Sequence, residues 1–298
     1  EGDILGLDLH VLDGRQVERD AAAGVDAVTG IADRGAVDRD ATRQDQRLRP
    51  AATFVDRTWF GVGVDPANHC VQRFLGPCAS TLRQLQVREV VLVAQDLAAY
   101  GRDQGVGERS IIPLVEAVAD RVDRTRLLYL YPSDLTDGLI DAILATGVPY
   151  FDLSLQHVSA PLVRRMRRWG NGEKYLARIA DIRAREPEAA FRSNFIVGYP
   201  GETEDDPDQL LRFVEAAQVD WCGFFAYSPE DGTYAVDLDR QVPRGLMEER
   251  LAELRERQDA ITAGKRDRLI GSEVEVLVDS TGIARSHREA PEIDGIIS

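Results

Sequence analysis

Short apolar runs alternate with amphipathic stretches from Val87 onward. Residues 87–94, 126–131, 150–156, 192–197 and 221–227 carry the compact apolar runs expected of strands covered on both faces. Between them, residues 111–122, 135–145, 160–169, 173–185 and 204–218 have helical spacing. In the last of these Leu210, Leu211, Phe213, Val214 and Ala217 fall on one side. Pro113 sits in the first turn of its helix, where a missing N–H matters least, and Gly147 ends the next helix. A βα alternation of this kind predicts an α/β fold with a parallel sheet and helices outside it, in the order of a partial (β/α) barrel. A charged helix is predicted over residues 246–269, followed by a half-exposed strand over 273–278.

Residues 1–86 break the pattern. They are a run of Asp, Arg, Ala, Val, Gly and Gln without sustained period, and no element is assigned to them. Two readings stand: a disordered segment, or a stretch translated out of frame from GC-rich DNA.

Composition narrows the class. At 298 residues with 44% hydrophobic content the chain can bury a sizeable core. No apolar run approaches the ~20 residues needed to span a bilayer, and no secretory signal is visible, so no membrane partner and a cytoplasmic location are expected. The chain begins without Met, as a fragment would. Three scattered cysteines form no disulfide framework. The net charge of −15 argues against nucleic-acid binding through bulk electrostatics.

The richest motif is Ser193-Asn194-Phe195-Ile196-Val197-Gly198-Tyr199-Pro200-Gly201-Glu202-Thr203, a strand running into a turn and then a helix. Gly198 and Gly201 permit a tight turn and close approach of a ligand to the backbone, and Thr203 with Asp206 fits a capping box. Reacting groups in such barrels gather at the C-terminal ends of strands. Gln95 and Asp96, Tyr131, Gln156 and His157, Gly198 to Glu202, and Ala226 to Ser228 all occupy predicted strand ends and would converge on one mouth.

Together with Tyr150-Phe151-Asp152-Leu153-Ser154-Leu155-Gln156-His157, Arg164-Arg165-Met166-Arg167-Arg168-Trp169-Gly170 and Val91-Leu92-Val93-Ala94-Gln95-Asp96, this motif resembles the radical S-adenosylmethionine (SAM) methylthiotransferases, in particular their RimO-type branch. The resemblance runs from about Val87 to the C-terminus. It implies a radical-SAM barrel over 87–242 lacking a recognisable first repeat, a connecting helix over 243–271, and an incomplete small β-barrel (TRAM-like) segment over 272–298, expected to be marginal. It implies SAM and [4Fe–4S] clusters as cofactors, an aspartate of ribosomal protein S-twelve as substrate, and a reductant protein as partner. SAM-binding positions implied are Gln95, Ser154, Gln156, Arg167, Asn194, Gly198 and Gly201. Arg167 would hold the SAM carboxylate, with Arg164, Arg165 and Arg168 as alternatives. The Val197–Gly198 backbone would lie beside the adenine or ribose. His157 is either a strand-end histidine bonded to backbone or an acid–base group, and Asp152 is read as structural. No residue is assigned a catalytic role.

The family holds its cluster with CxxxCxxC, and that spacing is not found among Cys70, Cys78 and Cys222. No metal ligand is therefore assigned, Cys70 and Cys78 are read as incidental, and the polypeptide as written is expected to be inactive. The alternatives are a barrel remnant without catalysis and the sister branch that modifies transfer RNA. Residues 272–298 carry six acids against two arginines, which favours a basic protein over nucleic acid as the direct substrate.

Overall fold

A computed structural model describes residues 87–94, 97, 100 and 111–298, together with the backbone of a two-residue antiparallel pair, Leu9–His10 with Gly61–Val62. The expectations for the rest of residues 1–86, and for Gln95, Asp96, Cys70 and Cys78, lie outside the described residues.

Five parallel strands follow one another in chain order. The first, β1 (Glu89–Leu92), pairs in parallel with β2 (Arg124–Leu127) after helix α1 (Ile111–Ala119). Helix α2 (Asp137–Leu144), capped by the Thr136 side chain, leads to β3 (Tyr150–Gln156). A bridge between Leu130 and Leu153 joins β2's continuation to β3, with Leu130 N–H bonded to the Asp152 carbonyl at 2.8 Å. Helices α3 (Ala160–Arg165) and α4 (Gly172–Arg185) precede β4 (Ala190–Val197), and α5 (Asp205–Ala217) precedes β5 (Trp221–Ala226). The sheet order β3-β4-β5 is parallel throughout, as the βα alternation requires.

Two apolar clusters lie on opposite faces of these strands. Phe151, Leu153, Leu155, Phe191, Phe195 and Val197 turn outward to the helices. Phe195 is fully buried against Phe213 and Phe224, with ring centroids 5.8 and 5.9 Å away; burial of such a side chain is worth roughly 1.5–3 kcal/mol. The smaller cluster, Val91, Leu128, Val148, Tyr150, Ala190 and Ala290, fills the inner face at the N-terminal end of the strands.

The long helix α6 (Arg244–Asp267) runs along β5. Arg255, Gln258, Thr262 and Lys265 recur every three to four residues and so share one face. They donate to the carbonyls of Phe224 (3.0 Å), Val219 (3.1 Å), Asp220 (2.9 Å) and Gln218 (2.8 Å).

After α6 comes a hairpin of β6 (Leu277–Ser280) and β7 (Ile283–Arg285), turning at Gly282. The strand expected over 273–278 is displaced because its partner is three residues long, leaving Val274 and Val276 exposed. The end of the chain then docks against the bottom of the barrel. Arg124 and Arg126 on β2 and Trp221 on β5 donate to the carbonyls of Arg285 (3.1 Å), His287 (2.9 Å) and Arg288 (2.6 Å). Asp294 accepts from Tyr150 Oη at 2.6 Å and lies 3.3 Å from Arg192, which also pairs with Asp152 at 3.0 Å. Glu89 bridges Arg126 and Arg285, each at 2.9 Å. Both arginines of 272–298, Arg285 and Arg288, are turned inward, and three of the six acids go with them, leaving Glu273, Glu275 and Glu292 exposed. Asp279, Glu289 and Asp294 are spent on Arg285, Ser286 and Arg192 respectively.

Three further boundaries depart from expectation. Strand β2 begins at Arg124, ahead of the predicted start, since its Arg-Thr-Arg residues are buried by the partners just named. It ends at Leu127 because Tyr129 takes a left-handed φ of 58°. Helix α3 stops at Arg165 because Arg167 and Gly170 also have positive φ. Among the described residues no helix is long and apolar enough to cross a membrane.

Candidate functional site at the barrel mouth

Strand alternation sets which side chains can face the mouth. With Phe151, Leu153 and Leu155 committed to the helix side, Asp152 and Ser154 take the inner face of β3. On β4 the inner residues are Arg192, Asn194 and Ile196. Asp152 and Arg192 belong to the salt-bridged floor, so Ser154 and Asn194 form the next layer up, and both are partly accessible.

Asn194 lies opposite Gly223 of β5 in register. A Cβ at position 223 would stand 2.6 Å from Asn194 Oδ1, so the absent side chain gives the asparagine its room. Asn194 Oδ1 is buried and has no hydrogen-bond partner. A buried acceptor without a donor costs about 1–3 kcal/mol, which marks this oxygen as a place for an incoming N–H or O–H. Gln156 sits at a register shift in the β3–β4 pairing and has φ 66°, a strained conformation at a strand end. His157 is buried, and its Nδ1 accepts the Ser159 N–H at 3.0 Å. Burial lowers its pKa to about 4, so the ring is neutral and fixes the loop, which is the backbone-bonded alternative of the two. Asp152 is structural as expected, tying Arg192 and the Tyr129 N–H.

The four arginines at and just past the end of α3 separate by direction. Arg168 reaches the Ser154 carbonyl at 3.0 Å and covers the Tyr131 ring at 4.6 Å. Arg167 is exposed and lies 3.8 Å over the ring of Tyr234, in the loop after β5. Arg165 donates to the Pro200 carbonyl at 2.7 Å and pairs with Asp239, while Arg164 is exposed. The glycine turn is packed by protein on both sides. Gly198 has φ 81°, and a Cβ there would be 2.4 Å from Met247; Gly201 has φ 95°, and a Cβ there would be 2.8 Å from Arg165. The capping expectation is met in part: Thr203 N and Oγ1 both donate to Asp206 Oδ2, at 2.7 and 2.8 Å.

Sequence reasoning named Arg168 only as an alternative and missed Tyr234, Met247 and Arg250. Glu202 stood inside the quoted motif, four residues after Gly198, and that spacing was the available signal.

The donors present suit SAM, whose amine and hydroxyls would meet Asn194 and Ser154 and whose carboxylate would meet an arginine. An iron–sulfur cluster has no fit among the described residues. Cys222 is the one cysteine there; it packs against the helix-side core, and burial pushes its thiol pKa up. No group of three or more His, Cys, Asp or Glu among the described residues is placed to hold a metal.

Residues 81–214 match the radical SAM superfamily. The chain is 43% identical over 224 residues to ribosomal protein uS12 methylthiotransferase RimO of Moorella thermoacetica, covering 74% of this chain and 51% of that protein. The same-named proteins of Salinispora tropica and Aquifex aeolicus are 44% and 38% identical, covering 73% and 74% of this chain and 44% and 53% of theirs. The chain thus spans about half the length of the curated relatives it matches. A weaker likeness, with TM-score 0.45 and 13% identity over 70% of this chain and 49% of the other, is to coproporphyrinogen III oxidase of Escherichia coli; it adds no argument. At this identity and coverage, the sequence matches place this chain in the RimO-type branch of the radical SAM methylthiotransferase family.

Proposed function

We propose that the barrel is built for the reaction in its relatives' name, transfer of a methylthio group to ribosomal protein S12, with an aspartate as acceptor and SAM held at the barrel mouth, and that the 298-residue polypeptide binds SAM without completing that reaction. Bound SAM would supply the methyl group, while the radical chemistry of this superfamily also needs an iron–sulfur cluster, for which the described residues offer no site. The observation that carries the binding reading is the buried, unpartnered Asn194 Oδ1, one layer above the salt-bridged floor.

The residues' tasks follow from their positions. Asn194 accepts a hydrogen bond from the SAM amine or a ribose hydroxyl, and Ser154 completes the polar layer. Arg168, anchored on the Ser154 carbonyl, is better placed for the carboxylate than Arg167, which must first leave Tyr234. The Val197–Gly198 backbone flanks the adenine or ribose. A reductant protein supplies electrons. The protein-substrate reading rests on the relatives' name, and the exposed charge of 272–298, Glu273, Glu275 and Glu292 with both arginines turned inward, agrees with it.

Equilibrium dialysis of the 298-residue protein with labelled SAM tests the site. Saturable uptake that falls at least tenfold in Asn194→Leu is expected; no saturable uptake by the wild type overturns the reading. Mass spectrometry of S12 and of transfer RNA, each incubated with the protein restored to the full length of its relatives, tests the substrate. Modified adenosine without modified aspartate moves the chain to the sister branch.

A further inference from the structure

The turn after β4 is held by a residue far along the chain. The Glu202 side chain is 1% exposed. One of its oxygens accepts the Gly198 N–H at 2.6 Å, and the other accepts Arg250 Nη1 at 2.6 Å. Arg250 belongs to α6 and is itself nearly buried. Met247, three residues earlier and hence on the same face of α6, occupies the space a side chain at Gly198 would need. Arg165 closes the other flank through the Pro200 carbonyl.

These contacts have a physical consequence. A buried carboxylate is tolerated only where charge and hydrogen bonds replace its water, so the pair has one favourable geometry. That geometry includes the Gly198 amide, fixed at φ 81°. The turn cannot swing away from its observed position without orphaning a buried ion. A backbone surface held in this way spends less free energy on ordering when a ligand arrives.

We propose that Glu202 and Arg250 are positioning residues: together they fix the backbone from Val197 to Gly201, so that α6 sets the SAM affinity of a site it does not line. The proposal rests on the reading of the mouth as a SAM site. Neither residue touches the cofactor; both act through the turn. Because Arg250 uses a single N–H toward Glu202, a lysine can take its place where a methionine cannot.

The test uses the full chain with Glu202→Gln, Arg250→Met and Arg250→Lys. Glu202→Gln keeps the shape of the side chain and guards against a variant that fails to fold. Hydrogen exchange is followed in peptides covering 195–204 and, as a control, 150–156, and SAM dissociation constants are measured by equilibrium dialysis. Arg250→Met and Glu202→Gln are expected to speed exchange at 195–204 while leaving 150–156 unchanged, and to weaken SAM binding about tenfold. Arg250→Lys is expected to recover most of both. Unchanged exchange at 195–204 in both variants overturns the proposal, as does faster exchange with wild-type SAM affinity. A purely structural role would instead speed exchange in both peptides alike, which also overturns it. A wild type that takes up no SAM sinks the reading of the site and this proposal with it, an outcome distinct from variants that bind as the wild type does.

Discussion

Replacing Asp294 by alanine should undock the end of the chain from the barrel. The Asp294 side chain is 1% exposed. Its Oδ2 accepts from Tyr150 Oη at 2.6 Å and from the Ala290 N–H at 2.9 Å, and Oδ1 faces Arg192 at 3.3 Å. Removing one partner of a buried ion pair costs ~3–5 kcal/mol. Arg192 keeps Asp152 at 3.0 Å, so the Arg192 contribution falls at the low end, while the Tyr150 hydroxyl is left without its acceptor. The expected total is about 3 kcal/mol, a fifth or more of the ~5–15 kcal/mol that holds a typical domain together. Urea unfolding at pH 7.5, followed by circular dichroism and by tryptophan emission, measures it. Trp221 bonds to the Arg288 carbonyl and so reports on the docked segment itself. The pH dependence gives a second check. Burial lifts the Asp294 carboxyl to about 6, above its unfolded value, so its contribution is fully present below about pH 4 and is lost as pH rises through about 6. The gap between wild type and variant should therefore widen on acidification from pH 7.5 towards 4. A variant within about 0.5 kcal/mol of wild type, the range of ordinary surface substitutions, would refute the reasoning.

Other outcomes follow from single residues. Gly198→Ala should destabilise by at least ~1 kcal/mol, since alanine at φ 81° is strained and its Cβ meets Met247; an unchanged melting temperature would contradict this. The His157 ring, neutral through burial with a pKa of about 4, should contribute stability that is lost as pH falls from about 6.5 through 4; an NMR titration midpoint near 6.5 would contradict the burial argument. Anaerobic incubation with iron and sulfide should leave the purified chain without the broad absorbance near ~400 nm typical of iron–sulfur clusters, because no CxxxCxxC can be written with its cysteines; near-stoichiometric iron and sulfide would show that Cys70 and Cys78 had been misjudged.

Much of the fold was legible because its signals are local. Tyr150–Gln156 was read residue for residue, since alternate side chains there are apolar and the segment is bounded by Pro149 and His157. Arg124–Leu127 was half hidden, because an Arg-Thr-Arg strand is buried only by partners that sequence distance conceals: Glu89, and carbonyls some 160 residues downstream. The site shows the same division. Ser154, Gln156 and Asn194 were named from the family resemblance; Ser154 and Asn194 lie on neighbouring strands one layer above the floor, while Gln156 stands past the register shift. Arg167 was preferred to Arg168, but the left-handed backbone at Arg167 turns that side chain onto Tyr234 and gives its neighbour the Ser154 carbonyl. The sign of the C-terminal charge was readable and its direction was not, since composition carries no information about which acids turn inward.

The seam between α6 and β5 bears on how this barrel survives outside its own context. An uncovered strand offers its carbonyls to any passing chain and so seeds aggregation. Here Arg255 of α6 answers the Phe224 carbonyl of the strand, and Gln258, Thr262 and Lys265 answer the carbonyls of Val219, Asp220 and Gln218 in the connection leading into it, so the helix acts as a guard rail for the sheet without being a strand itself. The smallest piece of this protein that stays in solution should then extend at least to Asp267. A piece ending at Val242 would retain all five strands yet leave that rail missing, and self-association rather than unfolding would be its first failure.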